Sequence, residues 1–175
     1  GNDLIAGFAR RADVAVKYLC DVDARQFGRV AKTVEGATGK APRQLTDFRR
    51  MLEDPGLDAV IVATPDHWHA LATILGCQAG KHVFVEKLVS QNVWEGRKMV
   101  EAARKYKRGV QAGLKTRGGA YTRKAVDFVH GGKLGRITLV HCYHMVGGGG
   151  APAALAKVPV PEGMNWDMYC GPGPL

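Results

Sequence analysis

The segment DAVIVATPDHWHALATILGCQAGKHVFVEKL, residues 58–88, admits few architectures. Residues 58–63 form a short, nearly continuous apolar run rich in β-branched side chains, which predicts a strand covered on both faces. Thr64 and Pro65 stop the run. Thr64 suits a helix cap, and Pro65 suits the first helical position, where no N–H is required. Trp68, Leu71, Ala72, Leu75 and Ala79 recur at helical spacing and predict one apolar face. Gly80 stands where a helix ends in left-handed backbone, and residues 82–86 read as a second short strand. Two strands joined by a helix make a βαβ unit, and hence a parallel sheet. Ligands of open parallel sheets bind beyond the carboxyl ends of the strands. Two polar sets lie at those ends: Thr64, Pro65, Asp66 and His67 after the first strand, Glu86 and Lys87 after the second.

The rest of the chain repeats this alternation. Residues 4–10 suit a helix and residues 14–20 (VAVKYLC) a strand, which Asp21 and Asp23 follow. Residues 24–38 predict a helix with Phe27, Val30, Ala31 and Val34 on one face and Gly39 at its end. Residues 44–46 lead to a short helix over 47–53. Ser90 or Asn92 caps a helix over 93–106, striped by Trp94, Met99, Val100 and Ala103. Residues 109–112 form the next strand, and 113–119 a loop with Lys115 and Arg117. Residues 120–130 are a helix closed by Gly131 and Gly132, and 137–145 a longer strand. The Gly-rich and Pro/Ala-rich stretch to Pro161 reads as a linker.

At 175 residues, 46% hydrophobic and 23% charged, the chain suits one ordinary domain and a tail. No apolar run is long enough to cross a bilayer, so no membrane partner is expected. No secretory signal precedes the first strand, and the chain starts at Gly1 instead of Met. The four cysteines, Cys20, Cys77, Cys142 and Cys170, form no C-x-x-C pair and read as buried thiols without a disulfide framework. Net charge is +9, with ten Lys or Arg against one acid between Arg97 and Lys124. That stretch reads as a solvated face or as a field for an anionic cofactor. Because no nucleic-acid motif or aromatic interleaving accompanies it, no nucleic-acid partner is expected.

ATPDHWHA at residues 63–70, Val85-Glu86-Lys87, and Val110-Gln111-Ala112-Gly113 together resemble the Gfo/Idh/MocA family of NAD(P)-dependent oxidoreductases. The resemblance runs from about Leu4 to the WDMYCGP segment near the end, and covers only part of a family member. It implies an α/β fold, a Rossmann-type doubly wound parallel sheet. That sheet would lack its first strand, placed by this topology between the strand at Val14 and the strand at Val83. Residues 1–135 are then the dinucleotide-binding domain, and 136–175 the linker and start of a second α/β substrate domain. Hydride transfer between NAD and a sugar or polyol hydroxyl is the implied activity. A redox-assisted glycoside cleavage of the same family, or a non-catalytic nucleotide-binding remnant, are the alternatives. The full-length protein is expected to be a homo-oligomer in the cytoplasm, with the periplasm as the alternative because related sequences are often exported.

An acid about 20 residues past the glycine-rich loop binds the adenosine ribose in such folds. Asp21 lies 20 positions after Gly1, so Gly1 is the expected last glycine of that loop. A turn or helix-capping aspartate is the competing reading, with Asp23 the better cap. A carboxylate at Asp21 would repel a 2′-phosphate, which favours NAD over NADP. The resemblance assigns Lys87 to substrate binding or proton transfer beside the nicotinamide. A solvated strand-end lysine is what the residue alone suggests. Glu86 and Lys87 are adjacent on a strand, so they point to opposite faces and form no simple ion pair. Leu88 replaces the family's usual proline, which loosens the aim of Lys87. A cis bond there would cost a non-proline residue roughly 3–4 kcal/mol.

By the same resemblance Thr64, Pro65, Asp66, His67 and His69 line the cofactor. For His69 the competing reading is a helix histidine with a solvent-facing nitrogen. Gln111 and Arg117 match the family's Gln-x-Gly-x-x-x-Arg, with Gln111 at the cofactor and Arg117 clamping substrate. Its competing reading is a surface cation. His67 and His69 are two apart on a helix and project differently, and no Cys/His cluster has a zinc spacing. No metal is expected.

Overall fold

The computed structural model describes residues 2–114, 116–143 and 157–172. These residues fall into two compact units, one comprising the chain up to Gly113 with the segment from Val160, the other running from Leu114 to Pro159. The first unit is an α/β structure. Its helices and strands are α1 (Asn2–Ala9), β1 (Tyr18–Cys20), α2 (Phe27–Thr38), β2 (Arg43–Leu45), α3 (Arg49–Leu52), β3 (Ala59–Val62), α4 (Asp66–Gln78), β4 (His82–Glu86), α5 (Val93–Lys105), β5 (Val110–Gly113) and α7 (Trp166–Cys170). A single 3-10 turn, Ala24–Gln26, precedes α2.

All three ladders are parallel. β1 pairs with β2, and β3-β4-β5 form a separate sheet in that order. The strand at Val83 is the middle strand of its sheet, so the expected order, which set the first strand directly beside it, is corrected. β4 is bonded on both sides, Ala59 pairing with His82 and Val83 with Val110. β2 was not expected as a strand: Arg43-Gln44-Leu45 is short, mostly exposed and carries no apolar alternation.

One sheet face carries Val60, Val62, Val83 and Val85, which form a core with Ala70, Ala72, Cys77, Met99 and Ala102 of α4 and α5. A second core gathers Ala9, Leu19, Phe27, Ala31 and Val34. The expectation that β3 is covered on both faces is corrected. Its burial alternates, and Ile61 on the other face opens into a cleft. Phe84 meets Phe8 of α1 edge to face on that side, 6.1 Å between ring centres.

The buried side of α4 also differs from the expected one. It presents His69, Ala70, Ala72, Thr73, Gly76 and Cys77, while Leu71 is exposed. Close approach is the reason: a Cβ at Gly76 would lie 3.0 Å from Val83 Cγ2 and 3.2 Å from Val60 Cγ2. Only small side chains fit there, so the bulky ones flank the contact. The helix begins at Asp66, with Pro65 as its N-cap and no side-chain cap bond, so Thr64 does not cap it. Gly39 and Gly80 adopt the left-handed backbone expected of them, φ 69° and 77°. Asn92 caps α5 by accepting from Glu95 N–H.

The four cysteines are free, but they are not uniformly buried. Cys77 is buried, Cys20 and Cys170 are half-buried, and Cys142 is exposed. Burial, reinforced by Asp47 and Asp21, pushes the Cys20 thiol up to about 12. In the second unit, α6 (Ala120–His130) buries none of its residues within the described structure. Residues 137–143 form no strand, contrary to expectation, because no described segment pairs with them; the last two residues of that expected strand lie outside the described set. Among the described residues, no helix is long and apolar enough to cross a membrane.

Candidate active site at the carboxyl edge of the sheet

Strand register brings the two polar sets together. Val62 pairs with Val85, so Thr64 and Lys87 each lie two residues past the last rung of the same ladder. Thr64, Pro65, Asp66 and Lys87 are exposed, while His67 and Glu86 are half-buried. Glu86 Oε2 accepts from Lys87 N–H at 3.1 Å. Among the described residues no ion pair joins the two side chains. The Lys87–Leu88 peptide bond is cis. Gln111 pairs with Phe84, so it shares the face of Phe84 that looks into the cleft.

Asp21 follows β1 at the same end of the neighbouring ladder. Its backbone N–H donates to Leu45 O, and its Oδ1 accepts from Asp23 N–H at 2.9 Å. Asp21 is exposed, whereas Asp23 is buried. Asp23 is the cap of the 3-10 turn: it accepts from Arg25 N–H and pairs twice with the Arg25 guanidinium, at 2.7 Å each. The hydrogen bonds from Arg25, and then from Gln26, hold the Asp23 carboxyl well below the usual carboxylate range. Asp23 is thereby tied up in structure, and the Asp21 carboxylate is left at the cleft.

The cleft has a volume of about 1220 Å³ and is lined by Tyr18, Asp21, Ile61, Thr64, Phe84 and Gln111, among others. It exceeds the roughly 300–1,000 Å³ of an ordinary small-molecule pocket. A second wall was not expected from sequence. Residues 161–170 fold back onto it: Asn165 N–H donates to Val22 O, Ala24 N–H to Gly163 O, and Trp68 Nε1–H to Met168 O at 2.9 Å. His67 Nε2 lies 2.9 Å from Tyr169 O, and Met168 and Tyr169 line the cleft. These bonds use backbone carbonyls, which leave no pattern in a sequence.

His69 is buried at 1% exposure and is not part of the cleft lining, so the solvent-facing nitrogen is corrected and the ring has no open face for the cofactor-lining place that the resemblance implied. Its Nε2 lies 2.9 Å from Thr64 O, and its Nδ1 is in hydrogen-bond contact with Leu88 O. His67 and His69 therefore have separate partners. Arg117 lies in the second unit, where its N–H donates to Leu114 O at 3.0 Å. Gly1 and Lys115 lie outside the described residues.

The donor set fits a dinucleotide. Asp21 offers an acceptor for ribose hydroxyls at a strand end. The uncapped first turn of α4 presents backbone N–H groups to a polar or anionic group, and the walls between are apolar.

Comparison with known proteins agrees with this geometry. A family described as an oxidoreductase family with an NAD-binding Rossmann fold, Gfo/Idh/MocA, matches residues 2–114. A glycosyl hydrolase family 109 protein of Stenotrophomonas maltophilia is 36% identical over 104 residues, covering 54% of this chain and 23% of its own length. A 1,5-anhydro-D-fructose reductase of Ensifer adhaerens is 33% identical over 118 residues, covering 66% of this chain and 34% of its own. Among solved structures, the WlbA dehydrogenase from Bordetella pertussis in complex with NADH and UDP-GlcNAcA superposes with a TM-score of 0.64 at 26% identity, over 77% of this chain and 39% of that one. The chain thus spans about a quarter to a third of the length of these curated relatives. A parallel Rossmann-type sheet, a cleft at its carboxyl edge and a family match over residues 2–114 converge: the chain belongs to the Gfo/Idh/MocA family of oxidoreductases.

Proposed function

We propose that the protein carrying this chain is an NAD-dependent oxidoreductase acting on a sugar or polyol hydroxyl. The observation that supports it is the meeting of Thr64 and Lys87 at one strand edge, beside a cleft that Asp21 also lines. NAD, when bound, supplies a hydride acceptor. Asp21 would accept hydrogen bonds from the adenosine ribose, and its charge would disfavour a 2′-phosphate. Thr64, Pro65, Asp66, His67, Glu86 and Gln111 would line the cofactor. Lys87, exposed at the strand end, would stabilise negative charge developing on the substrate oxygen by donating a hydrogen bond to it. Arg117 is proposed to contact substrate, and residues 136–175 to begin the substrate domain, with the segment from Val160 packed in the first unit. Assay of the complete protein with NAD and a panel of sugars and polyols tests the reading. Lys87→Ala should lower turnover far more than NAD affinity, and equal losses would reduce Lys87 to a cofactor-binding residue.

A second reading is NAD-using glycoside cleavage, which the glycosyl hydrolase family 109 relative favours. That reaction releases sugar from a glycoside with no net NADH, whereas the dehydrogenase accumulates NADH from a free sugar.

A further inference from the structure

We propose that His69 is a positioning residue, a clamp that ties the turn after β3 to the turn after β4 and so sets where Lys87 projects. The role of Lys87 in this inference rests on the function proposed above. His69 sits in the first turn of α4, and its ring is enclosed. The β3–β4 ladder ends at Val62 and Val85. Beyond that rung, His69 bonds both turns: Nε2 faces Thr64 O at 2.9 Å, and Nδ1 faces Leu88 O, on the residue next to Lys87. Only the two backbone dihedrals of Leu88 separate its carbonyl from the Lys87–Leu88 peptide plane, so holding Leu88 O restricts where Lys87 sits.

The proton inventory makes the clamp conditional. A backbone carbonyl only accepts, and a neutral imidazole carries a single N–H. Both bonds coexist only in the imidazolium. The neutral ring bonds one turn and turns a lone pair towards the carbonyl of the other. The two turns are therefore joined fully when the ring holds two protons, and singly when it holds one.

Nitrogen-15 NMR of the complete protein counts the protons on the His69 ring and detects couplings from its N–H groups across to the carbonyls they bond. Carbonyl carbon shifts of Thr64 and Leu88 are read in the same samples. Both carbonyls are expected to show hydrogen-bonded shifts and a coupling to the ring. In His69→Gln, one amide donor reaches one carbonyl, so kcat should drop roughly 10- to 100-fold with the KM for NAD changed less than about threefold. The carbonyl shift of at least one turn should change to that of a carbonyl without the ring bond. Carbonyls that show no coupling to the ring, or a His69→Gln enzyme with unchanged kcat, would overturn the clamp. If no dehydrogenase activity exists, the carbonyl shifts still decide the clamp while the functional reading fails separately. If His69→Gln does not fold, the wild-type spectra decide it alone.

Discussion

Gly76→Ala isolates the contact that seats the site-bearing helix on the sheet. Two effects oppose each other. In an isolated helix, alanine stabilises by about 1 kcal/mol over glycine. Here the new Cβ would lie 3.0 Å from Val83 Cγ2 and 3.2 Å from Val60 Cγ2, well inside ordinary van der Waals separation. Val83 and Val60 are themselves buried, at 3% and 5% exposure. β-Branched side chains have few alternative rotamers to retreat to, so the helix must lift or the strands must shift. Overpacking of that kind costs about 1–3 kcal/mol. The net expectation is a destabilisation of about 0–2 kcal/mol, the difference of those two ranges. Urea melts of wild type, Gly76→Ala, Val83→Ala and the double variant measure it. The double variant relieves the clash, so it should be more stable than the sum of the single losses by about 1 kcal/mol. Strict additivity, or a Gly76→Ala protein stabilised by the full helix-propensity gain, would refute the close-approach argument.

Gly171, at φ 51°, packs on Trp68 so closely that a Cβ there would overlap the indole edge at Cζ2, Cε2 and Nε1. Gly171→Ala should cost about 1–3 kcal/mol and detach residues 161–170 from the cleft, seen as a Trp fluorescence shift and faster proteolysis; an unchanged spectrum would contradict the docking. The Asp23 carboxyl is held below its ordinary value of about 3.9. A depressed folded pKa contributes stability that is present above the unfolded value and lost as pH falls below it. The advantage of wild type over Asp23→Asn should therefore be full at neutral pH and shrink from about pH 4 downward. Urea midpoints across pH check this, and a constant gap would count against the Asp23–Arg25 pairing.

Legibility in the sequence followed the physics of each segment. β3 and β4 were legible because valine and isoleucine cluster between Gly and Pro breaks, and Gly39 and Gly80 because left-handed helix ends favour glycine. The buried face of α4 was legible at Ala72 but not beyond it, because an apolar stripe points to Leu71 and Leu75 while close packing on Val60 and Val83 also selects Ala70, Thr73 and Gly76. β2 had no apolar signal. Residues 137–143 had one, but β propensity expresses itself only where a partner strand exists. At the site, the polar residues at the strand ends were legible from the carboxyl-edge rule. The wall formed by Met168 and Tyr169 was not, since its anchors are backbone carbonyls. The partners of His69 were hidden for the same reason.

Calorimetric titration of the complete protein with NAD and with NADP, before and after Asp21→Ala, decides whether the cleft beside β1 and β3 holds a dinucleotide whose ribose is read by Asp21. Wild type should bind NAD more tightly than NADP, and Asp21→Ala should weaken NAD and narrow the gap. An unchanged ratio would remove Asp21 from the site, and a protein that binds neither nucleotide would contradict the account.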